Sequence, residues 1–175
     1  AMAPLNHRQP GIVGALLTSE EAYVEVIGDM LHLHRAIVKL TIKAKSPQRV
    51  ALVTDTTGPA GLPKGIHFWN GQEVTVTSKD IRLADSTLAG SNITNDQLLR
   101  SILSLGQSLT ETVQMRSAVP AKIIGPKAKA WGRLQVGKEA NISVLDKKMK
   151  TLLTVAQGKV IYPSSRTRLT ALFKS

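Results

Sequence analysis

The chain has 175 residues, a formal net charge of +11, 42% hydrophobic residues and no cysteine. That length and apolar content suit a folded domain with a real core rather than a disordered chain, and the lack of cysteine excludes disulfides and thiolate chemistry. No stretch nears the roughly 18 apolar residues of a membrane span and no charged-then-apolar leader opens the sequence, so a cytoplasmic protein with no membrane partner is expected.

Residues 1–10 are polar and irregular. Residues 11–17 form a short apolar run read as a buried strand or its approach, and Thr18 with Glu21 gives a helix-start signature. The alternating, β-branched run 22–27 predicts a strand, followed by the polar cluster Gly28-Asp29-Met30-Leu31-His32-Leu33-His34. A helix is predicted over 35–44, with Ile37, Leu40, Thr41 and Ala44 on its apolar face. Ala51-Leu52-Val53-Thr54-Asp55 then reads as a buried parallel strand ending in one carboxylate, with the Gly- and Pro-rich loop 56–61 behind it.

Strand, helix, strand with polar residues at strand ends is the pattern of a parallel α/β fold. After residue 61 the pattern changes. Asn70-Gly71 ahead of the alternating run 73–77 predicts a hairpin, and 85–91 a small-residue loop. Thr94 with Gln97, and Ser108 with Glu111, are capping boxes for two helices, the second ending near Pro120. Beyond Gly125, strands are predicted over 132–138, 141–145, 152–156 and 159–162, and residues 163–175 form a basic tail. From Pro120 onward there are 12 Lys and Arg against only Glu139 and Asp146. Such a segment attracts phosphate-bearing partners, but aromatics at 3% and no recognition motif argue against nucleic acid and for a solvated basic surface.

Few residues carry chemistry. Asp55 at a strand end is either a turn cap or a catalytic carboxylate, and pattern alone leaves both open. His32 and His34 form a His-x-His pair, of which at most one is read as serving a given pocket. No HExxH or Cys-based metal motif is present.

Several segments, in order and at the right spacing, resemble the C-terminal half of N-acetylglucosamine-6-phosphate deacetylases of the amidohydrolase superfamily. They are Arg8-Gln9-Pro10-Gly11, Asp29-Met30-Leu31-His32, Val53-Thr54-Asp55 with Pro59-Ala60-Gly61, Thr87-Leu88-Ala89-Gly90-Ser91, and the run from Gly132-Arg133-Leu134 to Glu139-Ala140-Asn141. The resemblance implies an α/β fold: half of a (β/α)₈ TIM-type barrel over residues 1–125, the C-terminal strands of a small β-sandwich over 126–163, and the tail 164–175. A whole barrel needs about 250 residues.

The resemblance also implies metal-dependent hydrolysis of N-acetyl-D-glucosamine 6-phosphate to D-glucosamine 6-phosphate and acetate, in amino-sugar metabolism. Asp55 would be the acid/base. Ala1, Arg8, Asp29, Met30, Leu31, His32, Leu88, Ala89, Gly90 and Ser91 would bind substrate, Arg8 through its phosphate. The divalent cofactor, zinc or similar, would take a Glu and two His that have no counterpart here, so this chain alone is expected to be inactive. It would act with a complementing N-terminal half or as a homodimer; the alternatives are a non-catalytic sugar-phosphate binder and a basic interaction protein. Met30, Arg35 and Ser86 stand where the family usually has Gly, Pro and Gly. A lost turn glycine costs about 1 kcal/mol where φ is positive.

Overall fold

A computed structural model describes residues 2–163; Ala1 and the tail 164–175 lie outside the described residues. The chain divides into two compact units, Ala1–Arg116 and Ser117–Ser175.

The first unit is built on two adjacent parallel strands, β1 (Val24–Ile27) and β2 (Val50–Val53), in the register Val24↔Val50 to Ile27↔Val53. In β1 the valines point inward and Glu25 outward, whereas Val50, Ala51 and Leu52 are all buried, as expected for a strand covered on both faces. Helices α2 (Arg35–Lys45), α3 (Asn95–Leu103) and α4 (Leu109–Val113) belong to this unit, and Val38, Ile42, Leu98 and Ile102 join the strand valines in one core. Gly28 follows β1 because a Cβ there would lie 2.5 Å from Leu98 Cδ1 and 3.0 Å from Ile102 Cδ1.

Both predicted N-terminal caps form. Gln97 Oε1 accepts the Thr94 amide at 2.7 Å, and Ser108 and Glu111 bond reciprocally, at 3.2 Å to the Glu111 amide and 3.3 Å from the Ser108 amide. Between β2 and α3 lies a four-stranded antiparallel sheet in the order β3 (Gly65–Trp69), β4 (Gln72–Val76), β5 (Asp80–Leu83), β6 (Leu88–Ser91), cored by Val74, Val76 and Ile81. Its first hairpin turns on Asn70 (φ 50°) and Gly71 (φ 78°), the two positive dihedrals that a tight turn of this kind requires.

The second unit contains α5 (Val119–Ile124) and a three-stranded antiparallel sheet, β7 (Ile142–Leu145), β8 (Thr151–Ala156) and β9 (Lys159–Tyr162). No residue from 142 to 162 is buried. Among the described residues no helix is long and apolar enough to cross a membrane.

Six expectations are corrected. Residues 11–17 belong to a helix, α1 (Gly11–Thr18), because a short apolar run carries no decisive period; the Gly14 amide donates to the Pro10 carbonyl at 3.0 Å. Thr18 ends that helix instead of starting another, its hydroxyl donating back to the Gly14 carbonyl at 2.9 Å. The buried face of α2 is Val38, Ile42 and Lys45, not Ile37 and Leu40, each 45% exposed; the Lys45 ammonium is satisfied by the Ser19 carbonyl.

Residues 88–91 are a strand rather than loop, paired to β5. Residues 132–138 are turns, with Leu134 and Val136 exposed, because Glu139 organises this segment by accepting from the Trp131 indole and, at 3.1 Å, from Asn141 Nδ2. Pro120 sits in the first turn of α5, where its missing N–H goes unused, so helix continues past it.

Candidate active site

The loops leaving the carboxyl ends of β1 and β2 emerge side by side, because the two strands are adjacent, parallel and in register. The first loop carries Asp29 and His32, the second Asp55. Asp29 Oδ1 accepts the backbone amides of Leu31 at 2.9 Å and His32 at 3.0 Å, closing a tight turn. Its other oxygen, Oδ2, lies 2.7 Å from His32 Nδ1. The far side of the ring places Nε2 at 3.3 Å from Asp55 Oδ2.

The result is a chain of carboxylate, imidazole and carboxylate whose exposure rises along it: 0% for the Asp29 side chain, 18% for His32 and 45% for Asp55. Only Asp55 is open enough to meet a solute with its carboxylate. The Asp29 carboxylate is sealed, so this residue can offer a ligand only its backbone.

Asp55 is held from behind. Its φ is 54°, a left-handed conformation that an ordinary residue keeps only when its surroundings enforce it. The enforcement comes from β6: the Ser91 amide donates to the Asp55 carbonyl at 2.9 Å, the Ser91 hydroxyl to the Thr54 carbonyl, and the Thr57 hydroxyl to the Ala89 carbonyl at 3.0 Å. Gly90 (φ 128°) permits this approach, since a Cβ there would lie 2.9 Å from the Asp55 carbonyl oxygen. Behind β2, the Arg116 guanidinium donates to the Leu52 carbonyl at 2.9 Å; burial holds it below its usual range.

The structure thus brings together Asp29, His32, Asp55 and, through backbone bonds, Ala89 to Ser91. Leu88 opens that same strand, opposite Arg82. Met30 has φ 63°, and its side chain packs against the core. Leu31 is 37% exposed beside it. Arg8 lies in the exposed segment before α1, its amide donating to Asn6 Oδ1 at 2.9 Å, and among the described residues no hydrogen bond or ion pair joins it to Asp55 or His32. Ala1 lies outside the described residues.

Sequence reasoning missed His34, whose Nδ1 accepts the Ala36 amide at 3.3 Å and caps α2; its place just before the helix was the available signal. It also missed Thr57, the clamp opposite β6. Among the described residues no group of three or more His, Asp or Glu side chains could hold a metal ion. In the Asp29–His32–Asp55 chain the donor atoms face one another instead of a common point, so these residues do not fit the divalent ion that the resemblance implies.

The fold is α/β, with a carboxylate and an imidazole set together at the ends of neighbouring parallel strands, where side chains can exchange protons with a bound molecule. The chain is 34% identical over 160 residues to the putative N-acetylgalactosamine-6-phosphate deacetylase of Escherichia coli K12, covering 91% of this chain and 95% of that protein. It is 32% identical over 165 residues to the N-acetylglucosamine-6-phosphate deacetylase of Bacillus subtilis, covering 94% of this chain but 41% of that protein. The crystal structure of the Thermotoga maritima N-acetylglucosamine-6-phosphate deacetylase superposes with a TM-score of 0.82 at 34% identity, over 91% of this chain and 44% of that one. No protein-family model matches the chain.

The chain belongs to the N-acetylglucosamine-6-phosphate deacetylase family. It spans about two fifths of the length of the Bacillus relative and nearly all of the E. coli one.

Proposed function

We propose that this chain carries the acid–base part of a site that hydrolyses the N-acetyl amide of an N-acetylhexosamine 6-phosphate, releasing acetate and the free amino sugar phosphate. The observation that carries this is Asp55 Oδ2, exposed at a strand end and 3.3 Å from His32 Nε2, in a chain of this family. Asp55 takes a proton from the attacking water and returns it to the departing amine, one carboxylate serving both half-steps. His32 faces the same space and orients the sugar, with the backbone around Leu31 and the β6 strand beside it. Arg8 provides a guanidinium fork for the phosphate.

In this reading residues 1–125 are part of a (β/α)₈ barrel and 126–163 the C-terminal strands of a β-sandwich, in a cytoplasmic enzyme. A three-stranded sheet with no buried residue supports the second assignment, because such a sheet needs cover. The Asp29–His32–Asp55 chain is not a metal site, so the divalent ion the family implies would need ligands from other polypeptide. The isolated chain is therefore expected to release no acetate, with or without zinc.

The test supplies the remainder. Mixed with the N-terminal portion of the Bacillus relative and zinc, the chain should release acetate from N-acetylglucosamine or N-acetylgalactosamine 6-phosphate. Asp55→Asn should lower that rate by about 10²–10⁴-fold. Full activity of the variant would overturn the assignment of Asp55.

A second reading, a sugar-phosphate binder that does not catalyse, is favoured by the lack of a three-ligand metal cluster among the described residues. Calorimetry separates the two. Saturable binding of glucosamine 6-phosphate that Arg8→Ala abolishes, with no activity under complementation, would establish the binder.

A further inference from the structure

The buried carboxylate of Asp29 is the one charged group at the site that a dissolved substrate cannot reach, and its role follows from what it bonds. An ionised carboxylate only accepts hydrogen bonds. Oδ1 is occupied by the Leu31 and His32 amides, and Oδ2 lies 2.7 Å from His32 Nδ1 in a pocket where the Asp29 side chain has no exposure. The proton in that last bond must therefore sit on Nδ1. A neutral ring has a single N–H, so its other nitrogen, Nε2, is left bare, and that is the nitrogen 3.3 Å from Asp55.

We propose that Asp29 is a positioning residue that fixes the tautomer of His32 and keeps Nε2 a proton acceptor facing Asp55. A proton that Asp55 Oδ2 takes from water then has an acceptor waiting at Nε2. When it moves there, the O–H bond breaks as the N–H bond forms, the resulting imidazolium is stabilised by the carboxylate behind it, and the same proton then passes back to Asp55 Oδ2, which delivers it to the departing amine. In this reading Asp29 acts through His32 and does not touch the substrate with its side chain. The functional meaning rests on the deacetylase reading of the site; the tautomer itself does not.

Nitrogen NMR of the full 175-residue chain tests this, recorded on the alkaline side of the ring titrations, with His32 assigned by its disappearance in His32→Gln. Two other histidines are internal references. His34 Nδ1 accepts the Ala36 amide, and His67 Nε2 lies 2.8 Å from the Pro63 carbonyl, so both must carry their proton on Nε2. His32 is expected to show the opposite pattern, with its proton on Nδ1.

In Asp29→Asn the carboxamide oxygen can keep the two backbone amides, which turns its NH₂ toward Nδ1. Two donors cannot face each other, so the His32 pattern should invert to Nε2–H while those of His34 and His67 stay as they were. Wild-type His32 protonated on Nε2 would overturn the proposal, as would an Asp29→Asn variant with intact reference signals and an unchanged His32. If the variant does not fold, the wild-type spectrum decides alone. In the complemented enzyme Asp29→Asn should lower kcat and leave KM nearly unchanged. Absence of Asp55-dependent acetate release there, with the tautomer pattern as expected, would overturn the deacetylase reading and leave the assignment of the tautomer standing.

Discussion

Gly90 is where the backbone beside the candidate site is most sensitive to a single methyl group. Replacing it with alanine places a Cβ 2.7 Å from both Thr57 Cγ2 and Thr57 Oγ1 and 2.9 Å from the Asp55 carbonyl oxygen, at a φ of 128° that side-chain-bearing residues rarely adopt. The dihedral alone costs about 1–3 kcal/mol. The overlap adds about 1–3 kcal/mol, because the Asp55 carbonyl is backbone and cannot swing aside. The same substitution at Gly61 isolates the first contribution, since its φ of 84° is also positive but no atom lies within 4 Å of the new Cβ.

Urea titrations of the two variants should therefore give midpoints that fall for both and fall further for Gly90→Ala, the gap corresponding to about 1–3 kcal/mol at unchanged slope. Hydrogen exchange at the Ser91 amide, which donates to the Asp55 carbonyl, should speed up in Gly90→Ala and not in Gly61→Ala. Equal destabilisation by the two substitutions would refute the claim that β6 clamps Asp55.

Three further substitutions probe strain and charge. Ser86 (φ 69°) is exposed, so Ser86→Gly should stabilise the chain by about 0.5–1 kcal/mol. Met30→Gly relieves a similar dihedral but removes a side chain packed on the core, so its gain should be smaller or reversed; chemical denaturation ranks the pair. Burial alone would raise the Asp80 carboxyl, but the Thr77 hydroxyl and the Arg82 guanidinium, at 2.7 Å, outweigh it and hold it below the ordinary carboxylate range. A carboxyl lowered by folding stabilises above its unfolded pKa, near 4, and loses that contribution as the pH falls through the folded value. Asp80→Asn should thus cost about 1–2 kcal/mol at neutral pH, with the difference from wild type shrinking on acidification; a difference independent of pH would count against the ion pair.

What the sequence revealed depended on how local the physics was. The Asn70-Gly71 turn and both capping boxes were legible because each is settled within four residues. The cost of lacking glycine at positions 30 and 86 was legible from family spacing, and both residues do have positive φ. The buried face of α2 was not legible, because Ile37, Val38, Leu40 and Ile42 are all apolar, and only the neighbours in the fold choose between faces. The strand at 88–91 was hidden for another reason. Its small residues signal close backbone approach equally well in a loop or in a strand, and here the approach is to Asp55.

Asp55 itself began as either a turn cap or a catalytic carboxylate, and in the structure the turn cap beside it is a different residue. The cap is Asp29, whose carboxylate accepts two backbone amides of its own turn and is sealed from solvent. Among the described residues no backbone amide donates to the Asp55 carboxylate, which faces His32 and remains 45% exposed. Its loop is held instead through its backbone carbonyl, by Ser91. A carboxylate that does no structural bonding, at the end of a strand whose backbone is strained to present it, is free to exchange a proton. That division of labour, with one acid buried to orient the imidazole and the other left open beside it, is why the deacetylase reading rests on Asp55 and the positioning role on Asp29.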